Sequence, residues 1–165
     1  GQSVRFSEKD VRPMGRNASG VRGMKLKGED RVVEMDVIRD PKGSVIAVTG
    51  LGLGKNTPLE EYRLQTRGGS GVKVAQLTAK TGTLVGACVL EEGATGELLL
   101  VSKLGQMLRI NIAEIPARGR VTQGVYIMRF KEKGDHVASI SFVPKDPNEM
   151  LEGEGEEEAE ETTEE

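Results

Sequence analysis

The feature that most constrains the fold is a threefold internal repeat. The motif Arg-x-x-x-Gly-Val begins at Arg16, Arg67 and Arg120, so its copies are 51 and 53 residues apart. Apolar runs recur in the same register, at residues 44–49 and 98–103 before a copy, and at residues 32–38, 84–90 and 137–143 after one. A period of roughly fifty residues made of short strands predicts a propeller-like array, in which each unit is one small sheet.

Composition agrees with an all-β chain. Glycine is abundant, with 22 residues, and accompanies many short runs of Val, Ile and Leu, which is typical of short strands joined by turns. We predict three blades of about four strands each, in units at about 1–40, 41–93 and 94–147. An apolar strand is missing ahead of the sequence GQSVRF, and three units do not close a conventional ring. We therefore interpret the chain as the C-terminal part of a longer polypeptide.

The net charge of −3 hides two oppositely charged regions. Residues 149–165 contain ten Glu and no base, which leaves 16 of the 26 acids and all 23 bases in residues 1–148, a net charge of +7. A basic body predicts a polyanionic partner. The acidic tail, residues 148–165, is too polar to bury a core and is predicted to be disordered. It either competes with the polyanion for the basic body or only aids solubility.

The glycine-rich stretch GLGLGKNT resembles a nucleotide-binding P-loop only superficially. The pattern requires a first glycine where Thr49 stands, and Ser or Thr where Asn56 stands. We reject a nucleotide site and interpret the stretch as a flexible loop that carries Lys55 towards an anion.

No other residues form a pattern typical of catalysis or metal binding. The single histidine, His136, and the single cysteine, Cys88, are too few for a metal site. Cys88 is predicted to pack as a small apolar residue and Tyr62 as a packing residue. We expect no cofactor, no apolar run long enough for a membrane helix, and no signal peptide. An independent enzyme is the weakest of the alternatives.

The repeated turn is the best candidate site. Gly20, Gly71 and Gly124 are predicted to adopt a positive φ or to allow a close approach, but that role does not account for the arginines. If the units stack, equivalent corners form a positive stripe that binds duplex DNA through its phosphates. The predicted DNA-binding residues are Arg12, Arg16, Arg22, Lys25, Lys55, Arg63, Arg67, Lys73, Arg109, Arg118 and Arg120. Reversing Arg16, Arg67 and Arg120 to Glu is expected to abolish binding without changing the β-rich circular dichroism spectrum.

Three segments resemble successive units of the C-terminal domain of the DNA gyrase A subunit: residues 4–26, 54–82 and 105–130. The resemblance implies a β-pinwheel, a propeller-like disc whose positive rim wraps DNA. The sequence QTRGGSG, which comprises Gln65, Thr66, Arg67, Gly68, Gly69, Ser70 and Gly71, is similar to the family's box, Gln-Arg-Arg-Gly-Gly-Lys-Gly. Thr66 and Ser70 replace two bases of that box.

The resemblance also implies a function and a setting. The segment would bind and wrap DNA without sequence preference and without catalytic residues, as part of an ATP-hydrolysing type II topoisomerase that introduces negative supercoils. Its partners would be double-stranded DNA, the rest of the gyrase A subunit and the gyrase B subunit, in the bacterial cytoplasm at the nucleoid and away from membranes. The alternatives are the equivalent domain of the topoisomerase IV A subunit and a propeller-type protein-interaction module.

Overall fold

The computed structural model describes residues 1–145, and within them the chain consists of strands, turns and three 3₁₀ turns. The strands are β1 Gln2–Ser3, β2 Ser44–Thr49, β3 Leu53–Pro58, β4 Val72–Lys73, β5 Leu84–Leu90, β6 Gly96–Ser102, β7 Met107–Asn111, β8 Val125–Tyr126 and β9 Val137–Pro144. The all-β, propeller-like class is confirmed. The predicted disordered tail, residues 148–165, lies outside the described residues.

The strands form three antiparallel sheets. One sheet has four strands in the order β5-β2-β3-β8, a second has three in the order β7-β6-β9, and the third pairs β1 with β4. Of the three predicted units, only the one around β2 forms a four-stranded sheet within residues 1–145. Strands β2, β5, β6 and β9 lie where the apolar runs predicted them, because branched and apolar side chains pack well on a pleated surface. The interpretation of GLGLGKNT as a flexible loop is wrong, because β3 covers most of it and pairs with β2.

Two of the three blades receive an outer strand from the following unit. Strand β4 of unit two pairs with β1 of unit one, and β8 of unit three pairs with β3 of unit two. Both exchanged strands are only two residues long and directly follow a Gly of the repeated motif. The repeated motif therefore lies where one blade joins the next, not inside a single blade.

The predicted strand at residues 32–38 is wrong. This segment has no strand conformation, and most of its side chains are exposed. Its counterparts β5 and β9 pair with β2 and β6, whereas residues 32–38 pair with no strand among residues 1–145. The segment lies beside β5 instead, where the carboxylates of Asp36 and Asp40 accept hydrogen bonds from the N–H groups of Val89 and Glu92, at 2.9 and 2.7 Å.

The core lies on both faces of β2. Ile46 and Val48 are fully buried on the side that faces unit three, in a cluster with Leu98, Leu100 and Met128. Ala47 points the other way and is buried in a second cluster with Leu59, Tyr62 and Val74. A strand covered on both faces is expected for a blade stacked between neighbours. The stack holds the joints between blades at fixed positions.

Candidate nucleic-acid interface

The glycine of each repeated motif is a structural requirement, as predicted. Gly20, Gly71 and Gly124 have φ angles of 80°, 80° and 88°, a region that side chains strongly disfavour. A Cβ atom on Gly71 would overlap the carbonyl oxygen of Ser3, and one on Gly124 would lie 2.6 Å from that of Gly54. The same close approach therefore occurs twice, between equivalent residues.

The arginine of the motif also has a structural role, which corrects the expectation that the turn does not need it. The guanidinium of Arg67 donates a hydrogen bond to the carbonyl of Arg22 at 3.2 Å, and that of Arg120 donates to the carbonyl of Lys73 at 2.7 Å. Each arginine thus ties its turn to the preceding unit. Arg16 makes no side-chain hydrogen bond within residues 1–145 and is exposed.

Backbone hydrogen bonds complete two equivalent joints. We define the first joint as residues 65–74 packed on residues 1–25, and the second as residues 118–127 packed on residues 52–76. Three backbone bonds of the first joint have exact counterparts in the second. In the first joint they run from Gln65 N to Arg5 O, from Lys25 N to Gly69 O and from Val74 N to Gly1 O. In the second they run, in the same order, from Arg118 N to Asn56 O, from Gln76 N to Thr122 O and from Ile127 N to Gly52 O. The blades therefore repeat as one geometric unit, and equivalent side chains recur at successive joints.

Exposed cations flank these joints. Two of the carbonyls that accept these arginines belong to basic residues, Arg22 and Lys73, whose side chains are exposed. Several of the predicted DNA-binding side chains are exposed and make no hydrogen bond or ion pair with residues 1–145, namely Arg12, Arg16, Arg22, Lys25, Arg63 and Lys73. Each joint therefore combines one anchored guanidinium with two or more free cations from the preceding unit.

The box-like turn leaves some backbone amides free. Within residues 1–145, the N–H of Gly68 is occupied by the carbonyl of Gly23 at 2.6 Å, whereas the N–H groups of Gly69 and Ser70 have no acceptor. Gly68 has a φ of 81°, a conformation that favours glycine. Two adjacent free amides beside Arg67 can donate hydrogen bonds to an anion.

The prediction for Lys55 is wrong. Its side chain is 1% exposed, and the ammonium donates to the carbonyls of Gly119, Arg120 and Thr122 at 2.9, 2.6 and 3.1 Å. Burial lowers the pKa of Lys55 to about 8, so the group is mostly protonated at neutral pH but is not available to an external anion. The neighbouring Gly54 packs closely against unit three, because a Cβ on Gly54 would collide with the side chain of Ile127.

The burial of Lys55 could have been detected from the repeat. Aligning the units places Lys55 opposite Val4 and Leu108, both of which are partly buried apolar residues. A lysine at an otherwise apolar position is one whose charge must be satisfied from within the protein. Glu61 was also missed: its carboxylate accepts the backbone N–H of Arg120 at 2.7 Å and so lies within the second joint.

Arg109 and Arg118 have different surroundings. Arg109 is exposed but is paired with Glu97 on the neighbouring strand, so its charge is partly neutralised. Arg118 is exposed and donates only to the carbonyl of Ala117 next to it, at 3.1 Å. Arg118 lies in the second joint, whereas Arg109 lies on β7, outside both joints.

A cluster around Tyr126 was not recognised from the sequence. The guanidinium carbon of Arg129 lies 5.0 Å from the centre of the ring, and the ammonium nitrogen of Lys80 lies 5.6 Å from it. Tyr126 is 44% exposed. In the aligned repeat it occupies the position of Arg22 and Lys73, so an aromatic residue at a basic position was the available signal.

The remaining candidate residues have packing roles. Tyr62 is buried, which raises the pKa of its phenol, and burial raises the pKa of the Cys88 thiol to about 12. His136 follows the turn at residues 133–134.

No cluster of metal-ligating side chains is found among residues 1–145. In the same part of the chain, no helix has the length and apolar character needed to cross a membrane.

The sequence matches one protein family along most of its length. The model of the DNA gyrase C-terminal domain, described as a β-propeller, matches residues 1–39, 43–88 and 96–144. The DNA gyrase A subunit of Staphylococcus epidermidis is 38% identical over 141 residues, which are 85% of this chain and 16% of the relative. The corresponding protein of Aminobacterium colombiense is 39% identical over 149 residues, 90% of this chain and 18% of the relative. The chain thus spans less than a fifth of the length of these relatives.

Two solved structures share the fold. A DNA gyrase A C-terminal domain superimposes with a TM-score of 0.75 and 29% identity, over 86% of this chain and 47% of that one. The C-terminal domain of a DNA topoisomerase IV superimposes with a TM-score of 0.80 and 28% identity, over 96% of this chain and 49% of that one. In both cases the chain corresponds to about half of the solved domain.

Proposed function

Because the chain belongs to the DNA gyrase C-terminal domain family, we propose that it binds duplex DNA through the phosphate backbone, independently of base sequence. The observation that carries the proposal is the recurrence of charge at the joints. Arg67 and Arg120 are anchored at equivalent positions, and each is attached to the backbone of an exposed cation, Arg22 or Lys73. Cations held at a fixed spacing suit a polyphosphate, whose charges also repeat regularly.

The proposal includes wrapping and a place in a larger enzyme. Stacked blades present their joints one after another, so a duplex that contacts both joints bends around the stack at some cost in DNA deformation. Within a gyrase that contains both the A and the B subunits, such a segment would supply handed wrapping for ATP-dependent negative supercoiling in the bacterial cytoplasm. It would contribute neither a catalytic residue nor a cofactor of its own.

The structure changes the choice of test variants. Charge reversal at Arg67 or Arg120 would break the joints as well as remove charge, so circular dichroism cannot serve as the control that the sequence suggested. Reversal of Arg22, Lys25 and Lys73 to Glu removes only exposed side chains and leaves the backbone carbonyls of the joints in place. The matched control reverses Arg39, Lys42 and Lys145 to Glu, which changes the net charge equally at exposed positions outside both joints.

The measurement is the affinity for a random-sequence duplex as a function of salt. We expect the joint triple to lose about a hundredfold in affinity and to reduce the slope of log K against log salt by about three, because each phosphate contact contributes about 0.9. The control triple should retain most of the wild-type affinity and most of the wild-type slope. Equal losses in the two triples would show that net charge alone binds DNA, and a wild-type chain that does not bind at about 50 mM salt would refute the proposal.

Wrapping has its own assay. The chain is incubated with relaxed closed circular DNA and a nicking–closing enzyme, and the linking number is read after the protein is removed. A handed wrap changes the linking number in one direction in proportion to bound protein. An unchanged linking number at saturation would contradict wrapping by this chain. A protein-interaction module would show neither this change nor the steep salt dependence.

A further inference from the structure

Tyr126 interrupts the basic pattern at the blade joints. It is the second residue of β8, as Lys73 is the second residue of β4, and the equivalent residue of unit one is Arg22. Two of the three equivalent positions are therefore exposed cations, and the third is an aromatic ring that remains 44% exposed. A residue so exposed contributes little to the core, so its packing does not explain the substitution.

Two cations from different units lie over the ring of Tyr126. Arg129 lies three residues beyond Tyr126, and Lys80 lies in the turn that precedes β5. Their charged groups approach the ring centre to 5.0 and 5.6 Å, within the range in which a cation is attracted to an aromatic face. Neither side chain forms an ion pair with a carboxylate among residues 1–145, so both charges remain available to an external anion.

We infer that Lys80, Tyr126 and Arg129 form a phosphate-binding site at the position where the other units carry Arg22 and Lys73. The cations contact the phosphate, and the ring positions them. A ring with a cation on its face cannot also stack on a nucleic acid base at that face, which favours a backbone contact. This inference rests on the proposed function, because the phosphate belongs to duplex DNA bound along the joints.

Three variants of the whole chain separate the roles. Lys80→Ala with Arg129→Ala removes both charges, Tyr126→Ala keeps the charges but removes the ring, and Tyr126→Phe keeps an aromatic face. The matched control for the double variant is Arg39→Ala with Lys42→Ala, which removes one arginine and one lysine away from the joints. Affinity for random-sequence duplex is measured across a salt series, and thermal unfolding is followed by circular dichroism.

We expect the double variant to reduce the salt slope by about two, since two phosphate contacts are lost. Tyr126→Ala should weaken binding by about threefold to tenfold, as expected when two exposed cation–aromatic contacts are lost, and Tyr126→Phe should bind like wild type. Wild-type binding together with an unchanged slope in the double variant would overturn the site and leave the proposed function intact. Full affinity in Tyr126→Ala would overturn the positioning role. Failure of the wild type to bind would count against the proposed function itself.

Discussion

The two joints share their glycine and arginine contacts but differ in what lies beneath them. In the second joint the ammonium of Lys55 is buried under the turn and donates to three carbonyls, and Glu61 accepts the N–H of Arg120. In the first joint the position of Lys55 is occupied by Val4. In the first joint the arginine contact is also more extensive, because Arg67 donates to the carbonyls of Asp10 and Arg22, whereas Arg120 donates only to that of Lys73.

The sheet that supports the second joint is also larger than the one that supports the first. The second joint attaches β8 to the three strands β5, β2 and β3, whereas the first attaches β4 to the two-residue strand β1 alone. The surrounding core is also unequal, because much of unit one is exposed, including Val32, Val33 and Met35. A repeated surface motif therefore does not imply equal rigidity. Both turns are anchored by an arginine, but only the second is also supported by the buried ammonium of Lys55.

The largest expected difference follows from replacing Lys55 with Met. The methionine fills the space but leaves three buried carbonyls without their donor, which should lower the free energy of unfolding by about 4 kcal/mol. The control at the equivalent position of the first joint, Val4→Ala, removes only apolar volume and should cost about 1 kcal/mol. Urea denaturation of both variants provides the comparison. Equal shifts in the two midpoints would refute the distinction between the joints.

The wild-type chain and Lys55→Met should also differ in how their stability depends on pH. The pKa of Lys55 is lowered from 10.5 to about 8 in the folded chain, so between these values the unfolded state binds more protons than the folded state. Wild-type stability should therefore rise with pH from about 8 to 10.5, relative to Lys55→Met measured at each pH. A stability difference that stays constant through this window would contradict the lowered pKa.

A smaller effect is expected from the glycines, and it should be similar in both joints. Alanine at Gly71 or Gly124 must adopt a positive φ and also displace a backbone carbonyl, which we expect to cost about 2–3 kcal/mol. Alanine at Gly20 has the same backbone strain but open space around its Cβ, so about 1 kcal/mol is expected. Thermal unfolding measures all three variants. A Gly20→Ala cost equal to the others would show that backbone strain alone matters.

Much of the architecture was predictable from the sequence because the information is local. Strands β2, β5, β6 and β9 coincide with apolar runs, and the positive φ angles of Gly20, Gly71 and Gly124 follow from the repeated turn. Strand exchange was not predictable in this way. Strands β4 and β8 are two residues long, so their pairing is determined by the blade they contact rather than by their own sequence.

The candidate site was predictable in position but not in the roles of its residues. The repeat located Arg67 and Arg120 at equivalent corners, yet hydrogen bonds to distant carbonyls made them anchors, and the exposed charges are those of Arg22 and Lys73. Lys55 appeared to be a surface cation because lysine is almost never fully buried. The alignment with Val4 and Leu108 could have indicated its burial, but its partners are three carbonyls that lie 64 to 67 residues away along the chain, and no local pattern identifies them.

The smallest expected effect concerns the anchoring arginines, and it tests which joint depends on its surface side chain. Arg67 spans two carbonyls, those of Asp10 at 2.9 Å and Arg22 at 3.2 Å, whereas Arg120 donates to the single carbonyl of Lys73 at 2.7 Å. Alanine at either position should cost about 1 kcal/mol or slightly more. Alanine at Arg16, which makes no such bond within residues 1–145, should stay within about 0.5 kcal/mol of wild type.

Lysine at the same positions separates the joints further. A lysine has one charged nitrogen on a flexible stem and cannot reproduce the planar fork that reaches two acceptors. Arg67→Lys should therefore lose nearly as much stability as Arg67→Ala. Arg120→Lys should retain most of the wild-type stability, since a single acceptor suffices and Lys55 supports the turn from below. Urea midpoints of the four variants measure this. If lysine rescues both positions equally, the first joint does not depend on the fork of Arg67, and the contrast between the joints must come from Lys55 alone.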